Sequence, residues 1–441
     1  MKRGHVMFIP FPTIGHINPM LNFSLLLVSK GVKVSIATPI SVLDSVKPDH
    51  PEIIIVPYSD GSDDGWKKAK NYSETFNQVG LKNIAKLVER EQNTASPVKC
   101  LVYSSLLSFV LDIAKDFGLS GGSFCTQPCT VHALHFYVYE GHLRPPIQEP
   151  VELDGSPVVL EVRDLPTTVT KKEANPPFLQ ACLDQFSNLE EADWLFLNTF
   201  DMLEFEALNW MRRKWAEKMI TIGPTVPSVY GFNGPKPDSD PDSCSTIEWL
   251  NKKEANSVIY VSFGSVFGLG EEQIEELACG LKLSNKNILW VVRSTEEPKL
   301  PKKYKEEISE NGLVVPWCSQ LEVLAHDSVG CFITHCGWNS TLEALSLGVP
   351  MIGMPLFMDQ PTNAKFIQDV WKVGVRAKKD EKGIIGREEI NQCIKDVMEG
   401  ERGEGIKENA NRFKMLAKEA VSEGGSSDKS INKFIASLTS N

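Results

Sequence analysis

Short apolar runs alternate along the whole chain with longer stretches in which apolar residues recur at helical spacing. The short runs contain few polar residues, which is typical of parallel strands buried on both faces. In the first half they predict strands at residues 6–9, 32–37, 100–103 and 195–198. In the second half they predict strands at residues 258–262, 288–292, 313–315, 331–334 and 351–354.

The first two predicted strands enclose a helix. Asn18 has the character of an N-cap residue and Pro19 suits the first helical position, so the helix is expected to begin there and to run to about Ser29. Gly31 then ends it before the chain returns as a strand. This is one strand–helix–strand unit, which should have a right-handed crossover.

A proline- and glycine-rich stretch without apolar periodicity separates the two halves. It spans residues 224–245, and its composition is typical of an interdomain linker. A chain of 441 residues is long enough for two cores. We therefore predict an α/β protein with two Rossmann-like, doubly wound parallel-sheet domains facing across a cleft, at residues 1–223 and 246–420. Residues 421–441 are expected to form a C-terminal helix that packs across the domains.

Composition narrows the class of protein. With 42% hydrophobic and 23% charged residues, the chain resembles an ordinary globular protein. Its net charge of -11 argues against nucleic-acid binding, which depends on clustered Lys and Arg. The ten cysteines are irregularly spaced, which favours free thiols in a reducing compartment. Because Pro10 and Pro12 interrupt the first apolar run, neither a signal peptide nor a membrane helix is expected there, and the prediction is a cytosolic protein.

Residue types that can bind a ligand are concentrated after the later predicted strands of the second half. Trp317 lies in a turn beside Cys318 and Gln320, where its indole face suits a flat heterocycle with hydrogen-bonding edges. Simple core packing is the alternative for a tryptophan at this position. Open parallel sheets bind ligands beyond the carboxyl ends of their strands, so this turn is a candidate binding position.

The next turn has the features of an anion site that does not need lysine. Gly337 permits close approach of a ligand, and Asn339 and Ser340 stand where N-cap residues belong. A helix that begins here presents free N–H groups and a positive dipole end, to which His335 can add a donor. A well-capped helix with a structural glycine remains the alternative.

Two further acidic positions suit hydroxyl groups. Glu343 follows Asn339 by about one helical turn on the same face, where a carboxylate would hold the hydroxyls of a ribose. Asp359 and Gln360 follow the last predicted strand and would clamp sugar hydroxyls, although aspartate is also a common N-cap.

Residues 317–360, read in order, resemble the signature of the plant secondary-product (family 1) UDP-glycosyltransferases, and the resemblance extends to residues 11–20, FPTIGHINPM. It implies the GT-B architecture, with acceptor binding by the first domain and UDP-sugar binding by the second. It also implies that Trp317 stacks on uracil, that Cys318 and Gln320 meet its edge, and that Glu343 holds the ribose. The diphosphate would be bound by His335, Gly337, Asn339, Ser340 and Ser265, and the sugar by Trp338, Asp359 and Gln360. The terminal Gln360 favours glucose.

His16 is the candidate general base, because a histidine has a suitable pKa for taking a hydroxyl proton near neutral pH. From the residues alone, a polar loop histidine is the competing interpretation. The resemblance implies the catalytic role, and it also implies an orienting aspartate where this chain has Ser104. Three hypotheses follow: Ser104 orients His16 alone, a water or another carboxylate assists, or the chain is an impaired variant.

Residues 124–136 hold two cysteines and two histidines, but their spacing matches no recognised zinc finger. The resemblance instead implies that this segment lines the acceptor pocket, through Phe124, His132, His135 and Phe136. The acidic run at residues 238–242 lacks the Gly and Glu of a calcium loop and reads as a solvated linker. No metal and no other cofactor are expected.

The sequence therefore predicts an inverting UDP-glucose-dependent glucosyltransferase that adds β-glucose to a hydroxyl or carboxyl of a small lipophilic natural product. A phenolic, a steroid and a terpenoid all fit an apolar pocket with one basic histidine. An epimerase-like enzyme and a non-catalytic UDP-sugar-binding protein remain as alternatives. Neither a nucleic-acid partner nor a membrane-spanning segment is expected, and a monomer is the default.

Overall fold

The computed structural model describes residues 4–46, 51–65, 72–170, 176–227, 241–266 and 268–439. The chain divides into two compact units, each built on one parallel sheet. The first unit comprises Met1–Val162, Thr168–Thr225 and Glu419–Asn441, and the second comprises Arg163–Thr167 and Val226–Lys418. Within the described ranges, no helix has both the length and the apolar character needed to cross a membrane.

The first sheet has seven strands in the order β3-β2-β1-β4-β5-β6-β7. They are β1 His5–Ile9, β2 Lys33–Pro39, β3 Ile53–Tyr58, β4 Cys100–Ser104, β5 Ser120–Cys125, β6 Trp194–Leu197 and β7 Met219–Thr221. All pairs are parallel, and Phe8 of β1 lies opposite Ile36 on one side and Val102 on the other. Strand β1 is fully buried, as its unbroken apolar sequence predicts.

Helices cover both faces of this sheet. Those of the first unit are α1 Ile14–Ser29, α2 Tyr72–Thr75, α3 Leu81–Gln92, α4 Val110–Asp116, α5 Cys129–Tyr139, α6 Thr167–Thr170, α7 Pro176–Asp184 and α8 Phe205–Trp215. The predicted start of α1 at Pro19 is wrong, because the helix begins at Ile14 with Thr13 as its N-cap and Pro19 lies inside it. As a result His16 belongs to the first turn of a helix and not to a loop.

The second sheet has six parallel strands in the order β10-β9-β8-β11-β12-β13. They are β8 Val258–Ser262, β9 Asn287–Val291, β10 Gly312–Val315, β11 Val329–Thr334, β12 Met351–Gly353 and β13 Gly374–Arg376. Its helices are α9 Pro241–Leu250, α10 Glu271–Leu283, α11 Tyr304–Glu307, α12 Gln320–Leu324, α13 Trp338–Leu347, α14 Gln360–Lys365, α15 Arg387–Met398 and α16 Gly400–Val421. Strands β8 and β11 occupy the centre and are buried throughout, so the loops that follow them are held on a rigid base.

The C-terminal helix α17, Ser426–Ser437, is part of the first unit. Its Phe434 lies edge-on to Phe196 of β6 at 4.9 Å between ring centroids, and Ser427 donates a hydrogen bond to the carbonyl of Gly223. Helix α17 thus packs on the first sheet, and the expectation that residues 421–441 pack across the domains stays a prediction. Its apolar face is covered by the same core as strands β1 and β6.

The linker prediction is only partly within the described residues. Residues 228–240 lie outside them, and so does most of the acidic run at 238–242. The last residues of the predicted linker already belong to α9, which begins at Pro241. A short segment of the first half also joins the second unit: Asp164 is buried and accepts a hydrogen bond from Arg376 of β13 at 2.5 Å.

Candidate functional site

The carboxyl ends of β8, β10, β11 and β12 lie along one edge of the second sheet, because all four strands are parallel. The candidate donor residues predicted from the sequence follow these four strands. Ser265 is an exposed residue of the turn after β8, and its carbonyl accepts a hydrogen bond from Arg293 at 2.7 Å. The topology thus places four separate stretches of sequence along a single edge, as expected for a ligand site of a parallel sheet.

Trp317 presents its side chain to solvent after β10. Its exposed fraction is 53%, which is unusual for the largest apolar side chain and leaves a ring face available for stacking. The side chain of Cys318, in contrast, is buried, and its Sγ lies 3.7 Å from the hydroxyl of Tyr260. Burial raises the pKa of this thiol to about 11. The contact of Cys318 with a base edge stays a prediction, and the buried thiol is not the group that would make it.

Gln320 links two of the predicted ligand residues. Its side-chain amide donates to the hydroxyl of Ser340 at 3.0 Å and to the carboxylate of Glu343 at 2.6 Å. Burial raises the pKa of Glu343 to about 7, and the hydrogen bond from Gln320 opposes that rise. The amide nitrogen of Gln320 thus orients the carboxylate predicted to hold a ribose, a role that the sequence did not indicate.

Helix α13 begins at Trp338 with Gly337 as its N-cap. Asn339 and Ser340 therefore occupy the second and third helical positions, and the prediction that they are N-cap residues is wrong by two to three positions. The consequence for anion binding is favourable, because the backbone N–H groups of the first helical turn have no intrahelical acceptor. Trp338 is buried and packs on Trp371 at 6.2 Å between ring centroids.

The residue before Gly337 adopts a backbone conformation that side chains rarely take. Cys336 has φ 64°, in the left-handed region, and its N–H is held by the hydroxyl of Thr334 at 3.1 Å. Its carbonyl accepts a hydrogen bond at 2.9 Å from Asn363, whose amide also donates to Asp359 at 2.8 Å. Asn363 is buried and joins the anion turn to the predicted sugar clamp. No motif in the sequence pointed to Asn363, although it follows Asp359 by one helical turn.

His335 lies between two glycines. A Cβ at Gly264 would come within 2.9 Å of its ring, and a Cβ at Gly337 within 2.6 Å, so both positions require a residue without a side chain. Burial lowers the pKa of His335 to about 4, although a hydrogen bond to the backbone of Ser262 acts to raise this pKa. Its Nδ1 atom is buried and makes no hydrogen bond to any residue that the structure describes. Such an atom is available to a ligand or a water at this turn.

Asp359 and Gln360 form the predicted sugar clamp at the start of α14. Burial raises the pKa of Asp359 to about 6, while the hydrogen bond from Asn363 favours its ionised form. The side-chain oxygen of Gln360 accepts from the N–H groups of Leu356 and Phe357, both at 2.8 Å. With its oxygen so engaged, the amide nitrogen of Gln360 is the part of the side chain that can donate to a hydroxyl.

In the first unit, His16 lies near two side-chain hydroxyl groups beyond the carboxyl ends of β1, β4 and β5. Nδ1 of His16 lies 2.8 Å from Oγ of Ser104, the last residue of β4. It also lies 3.2 Å from Oγ1 of Thr126, the residue after β5. Burial lowers the pKa of His16 to about 4. The predicted pairing of His16 with Ser104 is present, and Thr126 is an additional partner that sequence reasoning missed.

The four residues predicted to line the acceptor pocket differ in position. Phe124 is fully buried in β5 and packs with Phe23 and Phe196 in the core of the unit, so its side chain is a packing residue and not one that meets an acceptor. His132 and His135 are buried in α5. Burial lowers the pKa of His132 to about 3 and that of His135 to about 4.

The ring contacts of these α5 residues are internal to the unit. His132 lies against Phe186 at 4.7 Å, and His135 bonds the hydroxyl of Thr168 at 3.0 Å. Phe136 is half-buried and packs on Trp215 at 5.1 Å. Among the side chains that the structure describes, no group of three His, Cys, Asp or Glu is arranged to hold a metal ion, and this includes the cysteines and histidines of residues 124–136.

The chain is similar over nearly its whole length to known proteins. Residues 197–422 match the family model described as UDP-glucoronosyl and UDP-glucosyl transferase. UDP-glycosyltransferase 74E2 of Arabidopsis thaliana is 46% identical over 99% of both chains, and mogroside I-E synthase of Siraitia grosvenorii is 43% identical over 99% of both. The structure of Os79 from O. sativa, solved in complex with U2F and trichothecene, is 37% identical with a TM-score of 0.91, covering 98% of this chain and all of that one.

Proposed function

The chain belongs to the plant UDP-glycosyltransferase family and has its GT-B fold, and from that premise we propose that it transfers glucose from UDP-glucose to a small lipophilic acceptor with inversion. The observation that carries the proposal is the carboxyl edge of the second sheet. An exposed indole, a half-buried carboxylate, a helix N-terminus and an acid–amide pair follow β10, β11 and β12 there. These four groups match a base, a ribose, a diphosphate and a hexose.

The donor would be held along this edge in the order of its chemical parts. Trp317 stacks on uracil, and Glu343, oriented by Gln320, accepts from the ribose hydroxyls. The first turn of α13, with its N–H groups and the ring of His335, takes the diphosphate and stabilises the charge that develops as UDP leaves. Asp359 and the amide nitrogen of Gln360 hold the glucose.

The acceptor is proposed to be a small natural product, because that is the kind of molecule named for the relatives: mogroside for one and trichothecene for another. Its oxygen attacks C1 of the α-linked sugar from the opposite face, so the product is a β-glucoside. His16 meets this oxygen, and Ser104 orients the imidazole from the other side. No metal takes part in this scheme, since the helix N-terminus and His335 supply the stabilisation of the leaving diphosphate.

We further propose that the protein works as a monomer in the cytosol. The nine cysteines whose side chains are described are all free, and thiols in that state are typical of reducing compartments. Size-exclusion chromatography with light scattering and imaging of a fluorescent fusion test these two points; a stable dimer or a luminal signal would contradict them.

Glucoside formation tests the function directly. The protein is incubated with UDP-glucose and a panel of phenols, carboxylic acids, steroids and terpenoids, and products are identified by mass spectrometry while UDP release is followed in parallel. We expect release of UDP that depends on an acceptor and matches the glucoside formed. UDP-glucose consumed without any acceptor would indicate an epimerase-like enzyme, and binding without turnover would indicate a non-catalytic protein.

A further inference from the structure

Residues Arg163–Thr167, the strap, come from the first half of the chain but belong to the second unit. The buried carboxylate of Asp164 accepts a hydrogen bond from Arg376 of β13 at 2.5 Å, and Arg376 also donates to the carbonyl of Arg163 at 2.8 Å. The carbonyl of Asp164 accepts from the hydroxyl of Thr362 in α14 at 2.6 Å. Because an ion pair with a buried carboxylate is costly to break, these bonds fix the start of the strap on β13 and α14.

The end of the strap is bonded to the loop before α14. Thr167 opens helix α6, and the first N–H groups of a helix have no acceptor within it. The N–H of Thr167 donates instead to the carbonyl of Met358 at 2.9 Å. Thr167 is buried, and its hydroxyl accepts a hydrogen bond from the N–H of Met358 at 2.9 Å. Both backbone groups of Met358 are thus held by a single residue of the strap.

Met358 adopts a backbone conformation that needs such support. Its φ is 60°, in the left-handed region that residues with side chains rarely occupy. A residue in this region keeps its conformation only when the surrounding structure determines it. The two hydrogen bonds with Thr167 are contacts of that kind. If the hydroxyl of Thr167 were lost, the backbone at Met358 would be expected to relax towards more common angles.

A change at Met358 would reach the sugar clamp, Asp359 and Gln360, directly. Asp359 is the next residue and the N-cap of α14, which begins at Gln360. The side-chain oxygen of Gln360 accepts from the N–H groups of Leu356 and Phe357 in the same loop. The shape of this loop therefore depends on the clamp residues on one side and on the strap on the other.

We propose that Thr167 is a positioning residue for the donor sugar, and that it acts through Met358 on Asp359 and Gln360. The inference rests on the proposed transfer from UDP-glucose and adds a determinant of sugar specificity to it. In this scheme Thr167 touches no atom of the donor. It fixes the direction in which the carboxylate and the amide nitrogen of the clamp meet the sugar hydroxyls.

Thr167→Val tests this role, because it removes the hydroxyl, keeps the shape of the side chain and leaves the N–H of Met358 without its acceptor. Calorimetric titration with UDP and with UDP-glucose separates the sugar from the rest of the donor. We expect the Kd for UDP-glucose to rise by roughly 10-fold and the Kd for UDP to stay unchanged, since a misplaced group can cost up to about 100-fold.

Donor specificity gives a second readout. UDP-galactose differs from UDP-glucose only in the orientation of one sugar hydroxyl, at C4. The ratio of kcat/KM for UDP-glucose to that for UDP-galactose should fall by roughly 10-fold in Thr167→Val, because a displaced clamp distinguishes the two hydroxyl orientations less well. Thr167→Ser keeps the hydroxyl and should recover both the affinity for UDP-glucose and this ratio.

Thr221→Val is a matched control in the first unit. Thr221 is also a buried threonine, and its hydroxyl donates to Asp201 at 3.1 Å, so the variant loses a hydrogen bond of the same kind. Its melting temperature should fall about as much as that of Thr167→Val, while its affinities and its donor ratio should match those of the wild type.

Two results would overturn the inference while glucosyl transfer stands. One is a Thr167→Val variant with the affinities and donor ratio of the wild type, and the other is an equal loss of affinity for UDP and UDP-glucose, which would place the effect outside the sugar clamp. A wild type that binds UDP-glucose and forms no glucoside contradicts the proposed function instead. The comparison of UDP with UDP-glucose still decides on Thr167 in that case, because it needs no turnover.

Discussion

Replacing Glu343 by glutamine should show separately how its half-buried carboxylate affects the stability of the protein and how it contributes to UDP binding. Burial raises the pKa of Glu343 from its ordinary 4.5 to about 7. A carboxyl whose pKa is raised on folding adds stability that is present at low pH and is lost as pH rises through the folded-state pKa. This rise of about 2.5 in the pKa, at about 1.4 kcal/mol for each pKa unit, amounts to about 3.5 kcal/mol, lost between pH 4.5 and pH 8.

Glu343→Gln keeps the shape of the side chain and an oxygen that accepts from Gln320. The variant has no group to ionise, so we expect its melting temperature to change less than that of the wild type between pH 5 and pH 8. Its affinity for UDP should fall by roughly 10- to 100-fold, since hydrogen bonds to a charged group contribute about 1.5–3 kcal/mol. The free variant should thus be the more stable protein at pH 8 and the weaker binder.

Differential scanning fluorimetry over this pH range, with and without UDP, measures the first effect, and calorimetric titration with UDP measures the second. Glu275→Gln, at an exposed position of α10, serves as the control and should match the wild type in both. Identical pH profiles for Glu343→Gln and wild type would refute the reasoning about burial. An unchanged affinity for UDP would remove Glu343 from the ribose site.

Three further predictions concern the same two units. Trp317→Ala should raise KM for UDP-glucose by roughly 10- to 100-fold, because stacking of a base contributes about 1–3 kcal/mol. Its melting temperature should change little, because the side chain is 53% exposed. Trp317→Phe should recover most of the lost affinity. Phe124→Ala should lower the free energy of unfolding by about 3–5 kcal/mol in urea titrations without changing the preference among acceptors, and a changed preference would return it to the acceptor pocket. Dialysis against EDTA should leave turnover unchanged, whereas loss of activity that magnesium restores would show that the diphosphate depends on a metal.

The strands that could be read from the sequence are those whose apolar runs are unbroken. Strands β1, β8 and β11 are buried along their length, and the predicted ranges differ from the observed ones by at most two residues at either end. Strand β5, SGGSFC, was missed because its glycines and serines give no apolar run, although its small residues admit close packing against Leu111 and Phe196. Strands β7 and β13 have only three residues each, too few for any pattern.

The residues of the proposed donor site could be predicted together because they follow β10, β11 and β12, which are consecutive in the chain. A short stretch of sequence therefore contains most of it, and the pairing of Gln320 with Glu343 is the part that required the fold. The surroundings of His16 come from three strands that are far apart in the sequence. Thr126 was missed for the same reason as β5, since a residue is recognised as lying beyond a strand end only when the strand itself is recognised.

Product analysis with UDP-glucose tests the central claim most directly. The wild type and His16→Ala are each incubated with UDP-glucose and the panel of phenols, carboxylic acids, steroids and terpenoids, and the glucoside formed is measured together with the UDP released. The account predicts a β-glucoside in equal amount to the released UDP, formed by the wild type and much more slowly by the variant, while both bind UDP equally well. UDP-glucose bound tightly by the wild type, with no glucoside of any acceptor, would contradict it.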